Sequence, residues 1–289
     1  MNYNEQLSLL IKNALAEDIG DGDHSTLASI DAAAIGKAIL KIKDTGILAG
    51  VEVAEKIFRY IQPDVIFSAF KNDGETMQFG DIAFEVEARV HAILQSERLV
   101  LNTMQRMSGI ATLTKLYTDK LKGYKTKLLD TRKTTPNFRL LEKEAVRIGG
   151  GVNHRFGLFD MIMLKDNHID YCGGIEKAII KAYDYVQNIK PGLLIEVETR
   201  TLDDVRKVMA TGKVNRIMLD NFTPALITEA LQIINGQFET EASGGINLDN
   251  IESYAATGVD FISSGAIIHQ ARSLDLSLKA SIPGTIKPL

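Results

Sequence analysis

The chain has 289 residues, a net charge of −4, 45% hydrophobic and 24% charged residues, and one cysteine, Cys172. These values exclude a disordered or low-complexity protein, a broadly basic surface for nucleic acid or membrane, a disulfide framework and a multi-cysteine zinc site. No apolar run approaches the ~18–20 residues of a spanning helix, and at about 150 residues per domain the length predicts one large domain or two unequal ones.

In chain order, Leu7, Leu10, Ile11, Ala14 and Leu15 recur at helical spacing with Glu5, Lys12 and Glu17 between them. This is an amphipathic helix rather than a basic stretch followed by an apolar signal core, so a cytoplasmic location is expected. Residues 35–93 read as a small α+β unit. Strands are expected over Ile35 to Lys43 and Ile82 to Val90, a helix over Val51 to Tyr60, and turns at Asp73-Gly74 and Gly80-Asp81. Ser96 is placed as the N-cap of a helix carrying Leu99, Val100, Thr103, Met104 and Met107. Gly109 interrupts it, and helical register resumes from Ala111 to Leu121.

After Gly123 short apolar runs alternate with helical patterns. The runs are Lys127 to Leu129, Met161 to Leu164, Leu193 to Val197, Arg216 to Leu219, Phe238 to Ala242 and Val259 to Ile262. Thr201 with Asp204 resembles a capping box, and Thr223-Pro224 reads as an N-cap followed by proline at N1. Such alternation predicts parallel strands with right-handed crossovers, in an α/β barrel of fewer than eight strands or a doubly wound sheet. Nearly every run ends in polar or glycine residues: Asp130-Thr131-Arg132-Lys133, Lys165-Asp166-Asn167-His168, Glu198-Thr199, Asp220-Asn221, Ser243-Gly244-Gly245 and Ser264-Gly265. In a barrel these ends converge on one face, which favours the ring over the open sheet.

The residue types at those ends suggest an anion site. Residues 131–165 hold seven Lys or Arg against three acids, in a chain that is acidic overall. Arg139, Lys143 and Arg147 are spaced four apart and read as an exposed helix face. Arg132, Lys133, Arg155 and Lys165, with His154, lie at or beside strand ends and form the expected anion pocket. Arg matches a carboxylate with its planar fork, and Lys brings a mobile charge suited to phosphate. Glu196 and Glu198 alternate with apolar neighbours and so face the barrel interior together, Glu196 deeper, with Asp220 one strand on. Ser243-Gly244-Gly245, followed by a helix expected from Asn247, outlines a phosphate cradle, which Ser264-Gly265 would close.

At these residues the chain resembles the quinolinate phosphoribosyltransferase family over about residues 15–272. The segments that carry the likeness are residues 17–23, Glu97-Arg98 with Leu101-Asn102, and residues 108–112. They continue with residues 130–136 (Asp-Thr-Arg-Lys-Thr-Thr-Pro), residues 150–155 (Gly-Gly-Val-Asn-His-Arg), Lys165-Asp166-Asn167-His168, Glu196-Val197-Glu198, residues 219–222 and residues 243–246. The resemblance implies an N-terminal α/β sandwich domain, here residues 1–110 with 273–289 returning to it, and an open seven-stranded α/β barrel over 111–272. It implies a homodimer in which one subunit's sandwich covers the other's barrel mouth. The implied reaction joins quinolinate to phosphoribosyl pyrophosphate with Mg²⁺, giving nicotinate mononucleotide, pyrophosphate and CO₂.

By the same resemblance, Arg132, His154, Arg155 and a partner-donated Arg98 hold the quinolinate carboxylates, and Lys133 and Lys165 meet the donor. Glu198 and Asp220 hold ribose hydroxyls or a hydrated metal, and Ser243, Gly244, Gly245, Ser264 and Gly265 hold the 5′-phosphate. The residues agree in chemistry: a dicarboxylate and a polyphosphate need a basic pocket. The alkylated ring nitrogen is the substrate's own electron sink, so no organic cofactor is expected. Ser96 as N-cap would place Arg98 in a first helical turn, where the dipole adds to its field.

Two positions depart from the family pattern. Asn137 stands where glycine is common, and Ile267-Ile268-His269 differs from the usual ending, so His269 carries no assignment, nor does Cys172. The rivals are a molybdenum-transport-associated paralogue of the same fold, a nicotinate phosphoribosyltransferase, a lyase forming a Schiff base on Lys133 or Lys165, and a non-catalytic binder of anionic metabolites.

Overall fold

The computed structural model describes residues 2–281. In chain order the elements are α1 (Tyr3–Ile19), α2 (His24–Ser29), β1 (Ile35–Ile42), β2 (Gly46–Ile47), α3 (Val51–Ile61), β3 (Ile66–Ala69), β4 (Thr76–Met77), β5 (Ile82–Arg89) and α4 (Val90–Lys120). There follow β6 (Lys127–Leu129), α5 (Arg139–Ile148), β7 (Ile162–Leu164), α6 (Asp166–Cys172), α7 (Ile175–Asn188), β8 (Ile195–Thr199), α8 (Leu202–Thr211), β9 (Arg216–Asp220) and α9 (Pro224–Ile234). The chain ends with β10 (Glu239–Ser243), α10 (Ile251–Ala255), β11 (Phe261–Ser263), α11 (Ala266–His269) and β12 (Leu276–Ala280). Among the described residues no helix is long and apolar enough to cross a membrane.

The chain divides into two units. The first comprises residues 2–115, 134–150 and 268–281, and the second residues 116–133 and 151–267. The sequence reading divides them at 110, whereas α4 runs unbroken across that point and residues 134–150 join the first unit. The C-terminal return expected over 273–289 is seen as far as β12, which pairs with β1; residues 282–289 lie outside the described residues.

In the first unit the antiparallel sheet has the order β12-β1-β5-β3. On β5, Phe84, Val86 and Ala88 are buried, while Glu85 and Glu87 turn to the opposite face and pair with Lys37 of β1. That alternation is why the segment folds as a half-buried strand. Phe58 of α3 packs on Phe84, 6.1 Å between ring centroids.

Helix α4 corrects two expectations. Ser96 does not cap it: the helix begins at Val90, and the buried Ser96 hydroxyl donates to Ala92 O inside it. Gly109 does not interrupt it. A Cβ there would lie 1.9 Å from Arg272 O, so the glycine admits a close backbone approach within an unbroken helix. Of the α5 face expected to be exposed, Arg147 is exposed and Arg139 half-buried, but Lys143 is not. Lys143 and Glu142 are buried, and Glu142 Oε1 accepts from Arg106 Nη2 at 2.8 Å. Asn137 has φ +62°, the conformation expected of an asparagine standing for glycine.

In the second unit the parallel sheet has the order β6-β11-β10-β9-β8-β7. Val152 adds a parallel bridge to Leu129 on the far side of β6, a seventh strand position reduced to one residue. The ladder therefore ends at Val152 on one side and at β7 on the other, and residues 153–161 span the seam: an open α/β barrel. The Thr201 capping box and the Thr223–Pro224 helix start are present as read. Expected strands differ from observed ones by up to two residues, most for β8, because Leu193 and Leu194 extend its apolar run outside the sheet.

Candidate active site

Parallel strands put all their C-terminal ends on one rim, and the polar strand ends of the second unit meet there. Arg132 and Lys133 follow β6, His154 and Arg155 follow the Val152 bridge, and Lys165 follows β7. Glu198 lies on β8, Asp220 ends β9, Ser243-Gly244-Gly245 leaves β10, and Ser264-Gly265 leaves β11. The structure thus brings these predicted residues to one mouth of one barrel. Arg98 belongs to the first unit, where it is exposed on α4.

Two guanidinium groups form the cationic side. Arg155 lies below the usual arginine range, through burial and then through the neighbouring positive charge of Arg132. Two like charges held together in this way favour an anion between them. The buried Arg132 Nε has no hydrogen-bond partner among the described residues, whereas Arg155 Nη1 donates to Met161 O at 3.2 Å and so ties the seam loop to the start of β7. On the acidic side Lys165 Nζ lies 3.3 Å from Glu198 Oε2, with Glu198 almost fully buried and Lys165 half exposed. Asp220 accepts from Asn221 Nδ2 at 2.6 Å. Lys133 is exposed at the same rim, its N–H donating to Thr131 Oγ1.

The Ser243-Gly244-Gly245 turn is built on backbone conformation. Gly244 has φ +98° and Gly245 φ +64°. Asn221 N donates to Ser243 O at 2.8 Å, and a Cβ on Gly244 would lie 2.2 Å from Asn221 Oδ1. Next to it Ser264 Oγ donates to Ile246 O and Ser264 N to Leu129 O. The helix expected from Asn247 begins only at Ile251, after a turn in which Asn250 Oδ1 accepts from Asn247 N. The cradle is therefore glycine backbone and serine, without a helix N-terminus at Asn247.

His154 points the other way. Its backbone N–H donates to Asp130 Oδ1 at 2.8 Å, and its ring enters the barrel interior. There Nε2 lies 2.9 Å from Glu196 Oε2 and 3.2 Å from Glu241 Oε2, all three side chains being buried. Arg216 Nη1, from the opposite end of the strands, reaches Glu241 Oε2 at 3.3 Å, and its guanidinium stacks on Phe261 at 4.1 Å.

Burial alone would discharge the His154 ring, but the two carboxylates prevail and push its pKa up to about 9. Glu196 rises to about 7 through burial and the charge of Glu241. Despite its own burial, Glu241 stays below the usual carboxylate range because His154 and Ser263 supply hydrogen bonds. Arg155 N donates to His154 Nδ1 at 2.6 Å, which favours a bare Nδ1, whereas the carboxylates favour the imidazolium. With Nδ1 bare and one proton on Nε2 the ring is neutral, and the cluster's second proton then sits on Glu196, the carboxyl pushed up to about 7.

Sequence reasoning gave no site role to Glu241 or Arg216, and placed Asp130 only as the start of a polar strand end. A signal for Glu241 was present: Glu239 and Glu241 alternate across β10 as Glu196 and Glu198 do across β8.

His154, Glu196 and Glu241 are the one group of three among the described residues with ligand atoms close enough, within 4.8 Å of one another, to hold a cation. Arg216 and the imidazole already answer the acid pair's charge, and we read the group as an ion-pair cluster. Glu198 and Asp220 join no such cage. As two oxygen donors at the rim they suit a hard divalent ion that keeps its own waters.

Comparison with known proteins gives one answer over most of the chain. The family profile for the quinolinate phosphoribosyl transferase C-terminal domain matches residues 110–279, and that for its N-terminal domain residues 23–108. Quinolinate phosphoribosyltransferase (decarboxylating) 1b of Nicotiana tabacum is 44% identical over 93% of this chain and 81% of its own. The probable nicotinate-nucleotide pyrophosphorylase (carboxylating) of Bacillus subtilis is 40% identical over 96% of this chain and 94% of its own. The solved nicotinate-nucleotide pyrophosphorylase of Francisella tularensis superposes with a TM-score of 0.88 at 39% identity, covering 96% and 97% of the two chains.

Proposed function

The chain belongs to the quinolinate phosphoribosyltransferase family, and on that footing we propose how its residues divide the work. The protein transfers the phosphoribosyl group of phosphoribosyl pyrophosphate to the ring nitrogen of quinolinate and removes one carboxylate as CO₂. Nicotinate mononucleotide for NAD biosynthesis is the product.

The adjacent cations Arg132 and Arg155, on the same rim of strand ends as the acids Glu198 and Asp220, carry the assignment. Quinolinate is a dicarboxylate. Two guanidinium forks match it, each charge-assisted contact contributing about 1.5–3 kcal/mol. Lys133 and Lys165 take the pyrophosphate of the donor, and Ser243, Gly244, Gly245, Ser264 and Gly265 take its 5′-phosphate. As the bond from ribose C1 to pyrophosphate oxygen breaks, positive charge builds on the ribose, and Glu198 and Asp220 stabilise it. The ring nitrogen forms the new bond to C1 and becomes a pyridinium. Its positive charge then stabilises the electron pair left on the adjacent ring carbon when that carboxylate leaves as CO₂, and a proton takes up this pair to form the new C–H bond. Mg²⁺, held by Glu198 and Asp220 through water, would neutralise charge on the departing pyrophosphate.

The same proposal contains a cytoplasmic homodimer in which Arg98 of one subunit completes the carboxylate site of the other. His154, which the resemblance sets beside the quinolinate carboxylates, faces Glu196 and Glu241 with its Nε2 and supports the carboxylate site from within.

Steady-state kinetics with each substrate varied in turn tests the division. Arg132→Ala raises KM for quinolinate roughly ten- to a hundredfold, the effect of one lost charge-assisted contact. Lys133→Ala raises KM for the phosphoribosyl donor. The opposite pairing of variant and substrate would contradict the assignment.

A further inference from the structure

The deepest charged group in the barrel is the one the mechanism leaves unused. Glu196 on β8 and Glu241 on β10 come from strands separated by β9, and one imidazole joins them. That imidazole belongs to the loop over residues 153–161, which spans the seam where the barrel has no strand pairing. Val152 makes one bridge, and His154 N donates to Asp130. Asp160 accepts from the loop's own Phe156 and Gly157 N–H groups.

We propose that Glu196 and Glu241 are positioning residues for the carboxylate clamp: by gripping the His154 ring from two strands they fix the seam loop and aim Arg155 at the substrate. The connection is continuous. Arg216 holds Glu241, Glu241 and Glu196 hold His154 Nε2, and His154 Nδ1 accepts from the backbone N–H of Arg155. Arg155 then spans to Met161 O, where β7 begins. Even when paired, buried acids are costly, so a purely apolar filling would pack this interior more cheaply. What the acids supply is orientation. Misplacement of a binding group by about 1 Å can cost on the order of a hundredfold.

The inference rests on Arg155 being part of the quinolinate site, so the test includes a variant for each claim. Arg155→Ala, Glu241→Gln and Glu196→Gln are assayed in the full-length enzyme with quinolinate and phosphoribosyl pyrophosphate varied separately. Glu241→Gln and Glu196→Gln keep shape and remove charge. Each should raise KM for quinolinate about tenfold or more and leave KM for the donor within about twofold. A merely structural role would lower thermal stability and the active fraction and leave that split absent.

If Arg155→Ala leaves the quinolinate KM unchanged, the clamp assignment fails, and the inference with it. If Arg155→Ala raises it and the glutamine variants do not, or raise both KM values equally, the clamp stands and the positioning role is refuted. Should either glutamine variant not fold, Arg216→Lys, which retains charge but loses the planar fork on Glu241, gives the same readout and must show the same selective rise.

Discussion

Arg132 and Arg155 repel one another in the free protein, and that repulsion is relieved when an anion enters between them. The identities of the rim residues could be read directly, because polar side chains at the ends of apolar runs mark a barrel mouth. The direction of His154 could not. Nothing in its local sequence says that it turns inward to acids about 40 and 90 positions further along the chain.

Those two acids, which outweigh the burial of the ring, have a pH consequence. With its pKa raised to about 9 against an ordinary value of 6.5, His154 contributes stability that is complete below about pH 6.5 and is lost as pH rises through about 9. Unfolding midpoints measured across that window should fall for the native protein, and His154→Asn should flatten this part of the curve. A parallel profile for the variant would contradict the ion-pair reading.

Gly244 makes a second prediction at this scale. At φ +98°, with Asn221 Oδ1 2.2 Å from an added Cβ, Gly244→Ala should destabilise by about 1–3 kcal/mol and raise KM for the donor. Unchanged melting and unchanged donor KM would remove the phosphate assignment of this turn.

Among elements, the βα units were legible because each short apolar run is bounded by helix caps with their own chemistry, as at Thr201 and Thr223. The strand at Val152 was not, since a one-residue bridge leaves no period to detect. Helix α4 misled for two physical reasons. Ser96 has the composition of a cap, yet its hydroxyl is satisfied by the preceding turn. Gly109 has the composition of a break, yet it is present because Arg272 O passes beside it. Gly109→Ala therefore opposes its helix-propensity gain with a backbone clash. Denaturant unfolding should show a net loss of about 1–3 kcal/mol, and a stabilised variant would show that the close approach is not required.

For the whole molecule, the division into two units was legible in outline, but its interleaving was not. Residues 134–150 join the first unit through contacts such as Arg106 to Glu142, which link side chains 36 positions apart. Arg98 sits exposed in that unit, and the proposed dimer uses it across the interface. Mixing inactive Arg98→Ala with inactive Arg132→Ala should restore part of the activity, because a mixed dimer contains one intact shared site. No recovery after confirmed subunit exchange would contradict sharing.

The most direct test of the central claim, that one barrel mouth seizes a pyridine dicarboxylate and its phosphoribosyl donor together, follows carboxyl-labelled quinolinate. Labelled CO₂ should appear only when phosphoribosyl pyrophosphate is present, in step with nicotinate mononucleotide, and Arg132→Ala should suppress both products equally. Label released without the donor, or nicotinate consumed in place of quinolinate without CO₂, would contradict the account.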